Sequence, residues 1–142
     1  AASGFLDRMA EHLAGITDPA EAVTEGIAAA VEALPNDKHM GLLLGPERLG
    51  AFSAEVTSDV ALSFAGSMLR RFDVDWAAAG FSDDELIELA EHILRIIQSF
   101  MLDPGRPPPR QGTGLRQYLR RWVGAALLTS ATAPERSAAP GR

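Results

Sequence analysis

Residues 82–102 read SDDELIELAEHILRIIQSFML, and this stretch decides the fold. Ser82 followed by Glu85 is a capping box, in which a hydroxyl and a carboxylate satisfy free amides at a helix start. Asp83 and Asp84 add negative charge where the helix dipole favours it, and Asp103-Pro104-Gly105 stops the helix. Between these signals run two apolar seams. One is Leu86, Leu89, Ile93, Ile96 and Phe100; the other is Ile87, Ala90, Leu94, Ile97 and Met101. Polar residues keep to one strip, Asp84, Glu88, Glu91, Arg95 and Gln98. A surface helix normally carries one apolar stripe. Two adjacent stripes predict burial on two sides, one against the chain's own core and one against a second copy of the molecule.

Outward from this helix the chain reads as all-α. It has 142 residues, 46% of them hydrophobic, which is enough for one domain with a sizeable core. Convincing strand alternation is absent. There is no cysteine, which excludes disulfides and thiolate metal sites. No apolar run reaches membrane-spanning length, so no membrane partner is expected and a cytoplasmic location fits. The net charge of −6 is uneven: residues 1–102 hold 6 basic and 17 acidic side chains, whereas residues 103–142 hold 7 and 2. An acidic body is a poor partner for nucleic acid, whose binding relies on Lys and Arg.

Residues 1–14 read as a helix with Phe5, Leu6, Met9, Ala10 and Leu13 on one face, ended by Gly15. Nothing caps its start, which suggests further sequence upstream of Ala1. Asp18 is an N-cap, with Pro19 at the first helical position and Glu21 two further on. Val23, Ile27, Ala30, Val31 and Leu34 form the buried stripe of this second helix, and Ala28 and Ala29 permit close approach of a neighbour. Residues 37–49 predict a short irregular helix and a turn. Ser53 is the expected cap of a helix reaching Phe72, with Val56, Val60, Phe64 and Met68 every four residues. A connection carrying Trp76 precedes the central helix, and a proline-rich loop follows it. The last helix is expected from about Thr113 to Leu128, with Leu115, Tyr118, Leu119, Trp122, Val123 and Ala126 on an apolar face and Arg116, Arg120 and Arg121 opposite. The domain is thus drawn over residues 1–128, with a loose tail over 129–142.

Catalytic signals are thin. The Glu-x-x-His ligand motif of helical metal sites is absent, since Met9, Asn36 and Leu89 stand three residues before the three histidines. Glu88 and His92, four apart, suit a hydrogen bond across one turn or a ligand pair. No nucleophile elbow and no glycine-rich phosphate loop is present. The expectation is a non-enzyme without cofactor. The arginine face predicts either solvent exposure or contact with the acidic strip of the central helix. Met9, Met40, Phe64, Met68 and Met101 suit either plain core or an adaptable pocket.

The order of elements, the loop Leu102-Asp103-Pro104-Gly105-Arg106 and the closing run Leu119-Arg120-Arg121-Trp122-Val123 resemble the C-terminal part of TetR-family transcriptional regulators. The resemblance covers roughly residues 1–128. It implies an antiparallel bundle of about six helices, the last two long and forming a four-helix dimer interface. It also implies that a separate N-terminal helix-turn-helix domain, absent from this sequence, contacts the operator. Ile87, Leu94, Ile97 and Met101 would then pair with Tyr118, Leu119 and Trp122 of a partner. A small, largely apolar effector would be held among Met9, Ile27, Val31, Met40, Phe64, Met68, Leu89 and Ile93. The alternative is a helical homodimeric interaction module whose interior is filled by side chains.

Overall fold

The computed structural model describes residues 2–36 and 58–128. Among them the chain is all-helical, with no strand. Helix α1 spans Ala2–His12, α2 Pro19–Ala33, α3 Asp59–Arg71, α4 Asp83–Leu102 and α5 Gly112–Leu119, the last continuing through a π-helical turn at Arg120–Gly124. The expected irregular helix over 37–49, Met40, Ser53, Val56 and the tail over 129–142 lie outside the described residues.

Local chemistry sets most boundaries. Asp18 accepts a hydrogen bond from the Glu21 amide at 2.9 Å, and Pro19 opens α2. At α4 both halves of the capping box form: the Glu85 amide donates to Ser82 Oγ at 3.1 Å, and the Ser82 amide donates to Glu85 Oε1 at 2.9 Å. Gly15 supplies the left-handed turn after α1 at φ +85°, which any side chain would strain. Its amide donates to Asp73 Oδ2 at 2.8 Å and ties this corner to the end of α3. Trp76 is buried with its ring N–H donating to the Leu69 carbonyl at 2.8 Å, edge-on to Phe81.

Helix α2, rather than α4, lies deepest. Nine of its fifteen residues are buried, most of them alanine, and it touches α1, α4 and α5. Alanine gives α2 high intrinsic helicity and lets its neighbours approach closely. Ala22 and Ala28 have no exposed surface at all. Val31, expected on the buried stripe, is half-buried at its edge.

Three sequence expectations need correction. Helix α3 begins at Asp59, capped by Ser58, whose hydroxyl accepts from the Ala61 amide at 3.2 Å. Its buried face is Ala65, Met68, Leu69 and Phe72, spaced three, four and seven from the first. Val60, placed on a stripe of every fourth residue, is 81% exposed. A four-residue step over-rotates an α-helix by about 40°, so such a stripe drifts off its face.

Helix α5 shows the converse. Its buried apolar side chains are Leu115, Leu119, Val123 and Leu127, every fourth position, with Gly124 buried beside them. The π turn contains an extra residue and absorbs the drift that an α-helix would accumulate. All four therefore stay on the buried side of the helix. Trp122 and Ala126, assigned by ordinary periodicity to the apolar face, are exposed instead, Trp122 by 65%.

The third correction concerns α4. Leu86, Ala90 and Ile97 are buried within the protomer, Leu94 and Met101 are half-buried, and of the proposed outer seam Ile87 alone is exposed. The two seams are therefore not two opposite surfaces. They merge over much of α4 into one broad inward face.

Candidate functional site

Helices α1, α2, α3 and α4 converge on an apolar cavity of about 80 Å³. Phe5 and Met9 come from α1, and Val23, Gly26, Ile27 and Ala30 from α2. Helix α3 with the residue that follows it supplies Phe64, Ala65, Met68, Leu69 and Phe72, while Ile93, Leu94 and Ile97 come from α4. Among the described residues no lining side chain carries a hydrogen-bonding or charged group. Such a space offers dispersion contact and exclusion of water, and nothing that could hold or move a proton.

Of the effector residues named from sequence, Met9, Ile27, Phe64, Met68 and Ile93 meet at this cavity. Leu89 does not. It lines a second, more open hollow of about 200 Å³ with Phe81, Glu85, Glu88, His92, Val123, Ala126 and Leu127. Val31 borders neither. Among the described hydrogen bonds none joins Glu88 to His92. No group of three or more His, Asp or Glu side chains among the described residues is placed to hold a metal ion.

The dimer residues named from sequence divide as well. Leu94 and Ile97 line the cavity, and Leu119 is wholly buried inside the protomer. Tyr118 is half-buried, edge-on to Phe100 at 6.0 Å, with the Arg110 guanidinium 4.3 Å above its ring. Ile87 and Trp122 remain exposed, as do Leu102 and Leu128.

The sequence reading overlooked a polar lattice on the other flank of α2. Arg116 forks onto Glu25, Nε to Oε1 at 2.7 Å and Nη2 to Oε2 at 2.8 Å. The same guanidinium reaches Glu32 at 3.0 and 3.1 Å, and the Gly112 amide donates to Glu32 Oε2 at 2.9 Å. Arg120 forks onto Glu21 at 2.8 and 3.2 Å. From α1, His12 Nε2 lies 2.7 Å from Glu25 Oε2. Arg116 and Arg120 thus meet the acidic edge of α2 rather than α4, Arg120 remaining half-exposed, while Arg121 is exposed beside the Trp122 ring. Hydrogen bonds from Arg116 hold the Glu25 and Glu32 carboxyls below their ordinary range, and Arg120 does the same for Glu21. Carboxylates so engaged are poor general bases, and the lattice joins helices rather than forming a reaction centre. The pairs are separated by 91 and 84 residues in sequence. The available signal was the row Glu21, Glu25 and Glu32 on one side of α2 facing Arg116 and Arg120, four apart on α5.

Comparison with known proteins identifies no relative: no protein-family model, no curated protein and no solved structure matches the chain. Among the described residues no helix is long and apolar enough to cross a membrane.

Proposed function

We infer that this chain is an effector-sensing and dimerising domain of a TetR-like transcriptional regulator, cytoplasmic and without catalytic activity of its own. The observation that carries the reading is the apolar cavity, lined by four helices and touching Phe5 and Met9 of α1. A ligand there contacts α1, so occupancy can bias how α1 is held. In a regulator of this kind α1 leads to the DNA-binding domain, and its position controls operator binding. The exposed Ile87, Leu102, Trp122 and Leu128 are the apolar surface that supports a homodimer through α4 and α5.

Two experiments test the reading. In a thermal-shift screen, small apolar compounds should stabilise the protein and charged ones should not. Stabilisation amounts to roughly 2.7 kcal/mol at a hundred times the dissociation constant. In sedimentation at micromolar concentration the protein should run as a dimer, and Trp122→Asp should shift it to monomer. The volume of about 80 Å³ favours a second reading, since ligand sites typically span about 300 Å³ or more. On that reading the chain is a helical homodimeric interaction module without a small-molecule ligand. A dimer that no compound stabilises would select it.

A further inference from the structure

On the reading that the cavity is an effector site, we propose that Gly26 and Phe72 together set its size limit, and that its occupant is a compact, uncharged, hydrocarbon-like molecule without hydrogen-bonding groups. Gly26 stands in the middle of α2, where Ala20, Ala22, Ala28, Ala29, Ala30 and Ala33 serve every other need for a small residue. Glycine is a poorer helix former than alanine, and no positive φ requires it here. What requires it is the Phe72 ring. A Cβ at position 26 would stand 3.3 Å from Phe72 Cζ and 3.6 Å from Cε2, with Leu13 Cδ1 at 3.8 Å behind.

Both Gly26 and Phe72 border the cavity. Leu13, also near the added Cβ, is 1% exposed and does not line the cavity. Interiors are packed at crystal-like density, so a ring pressed by an added methyl group yields toward the empty space that it borders. That space is the cavity. The missing methyl on α2 therefore fixes how far the ring stands back, and with it the volume left for a guest.

The lining fixes the chemistry of the guest. A hydroxyl or carboxylate entering would lose its water without any replacement partner. The volume, about 80 Å³, is roughly half that of an apolar cavity of about 150 Å³ that takes benzene or xenon. As it stands the site fits xenon and the shortest hydrocarbons, and a six-membered ring enters only where Phe72 gives way.

Xenon NMR titration of the whole chain, paired with benzene, phenol and benzoate binding, tests this. Wild type should bind xenon. Gly26→Ala should weaken xenon binding, and Phe72→Leu should tighten benzene binding, each by about tenfold or more, the scale of a methylene-sized change in an apolar pocket. Phenol and benzoate should stay excluded from both. Gly26→Ala adds a better helix former, so it keeps the test open should Phe72→Leu fail to fold. If wild type binds no xenon, the effector reading falls together with this one. If wild type and Gly26→Ala bind xenon alike, the effector reading stands and the size limit is overturned. Benzoate binding in the cavity would overturn the chemical class.

Discussion

Helix α2 has two unlike flanks. Toward α3 and α4 its small residues leave a void of about 80 Å³; toward α5 they meet the partner helix closely. There a Cβ added at Gly124 would meet Thr24 Oγ1 at 3.2 Å and Ala20 Cβ at 3.6 Å. The same residue types thus give space on one side and contact on the other. The difference lies in what draws the partner helix in. Helix α5 is fastened by forked Arg–Glu pairs with fixed geometry, and its π turn keeps four apolar residues buried. Helix α3 is held at that face by dispersion contacts, which have no direction. Small residues permit close approach, and a directional bond is what enforces it.

The sharpest way to break this comparison is to empty the α5 side. Leu119→Ala removes a side chain with no exposed surface and should lower stability by about 3–5 kcal/mol in urea unfolding. Enlarging residues comes next. Ala28, wholly buried and away from the cavity, has no room, and Ala28→Leu should cost about 1–3 kcal/mol. Ala65→Leu, pointing at the void, should cost under about 1 kcal/mol and abolish any binding there. Equal costs for the two would mean that the flanks do not differ in packing.

The charged lattice has a smaller effect. Glu25→Gln leaves Arg116 its bonds to Glu32, so the loss should be about 1–2 kcal/mol. The lattice also predicts an acid limb. Glu21, Glu25 and Glu32 titrate lower when folded than when unfolded, because the arginines favour their charged form. Their contribution is fully present above the unfolded value of about 4.3 and is lost as pH falls through the lower folded values. Urea titrations below pH 5 should show stability falling, less steeply in Glu25→Gln. Smallest of all, the exposed Glu91–Arg95 pair on α4 should give about 0.5 kcal/mol or less on Arg95→Ala.

What could be read from sequence was local. The capping box at Ser82, the Asp18-Pro19 start and the turn at Gly15 depend on residues within a few positions of each other, and all three form. The inward faces of α1 and α2 followed from ordinary helical periodicity, whereas Met9, Ile27, Phe64, Met68 and Ile93, which line the cavity, were grouped by the resemblance. Periodicity failed where the backbone departs from it, at the π turn that carries Trp122 outward, and where a stripe was drawn with a step of four, at Val60. It was silent on pairs made across the chain: Arg116 with Glu25, and Gly26 with Phe72. Nothing near Gly26 in sequence announces the ring that needs its missing methyl group.

The burial of α2 bears on which substitutions this chain can accept over time. Its nine buried positions hold Ala, Gly, Thr, Val and Ile, chosen for size more than for any chemical group. A randomised library selected for folded protein should return narrow choices at Ala22, Gly26 and Ala28 and broad ones at Arg106–Arg110, which are exposed. Two descendants of this chain could share little along the loops and the solvent face of α4, yet keep the same ladder of small side chains along α2. In a search for distant kin, that ladder, with glutamates along its edge and arginines answering from the last helix, is a more durable mark than the longer α4.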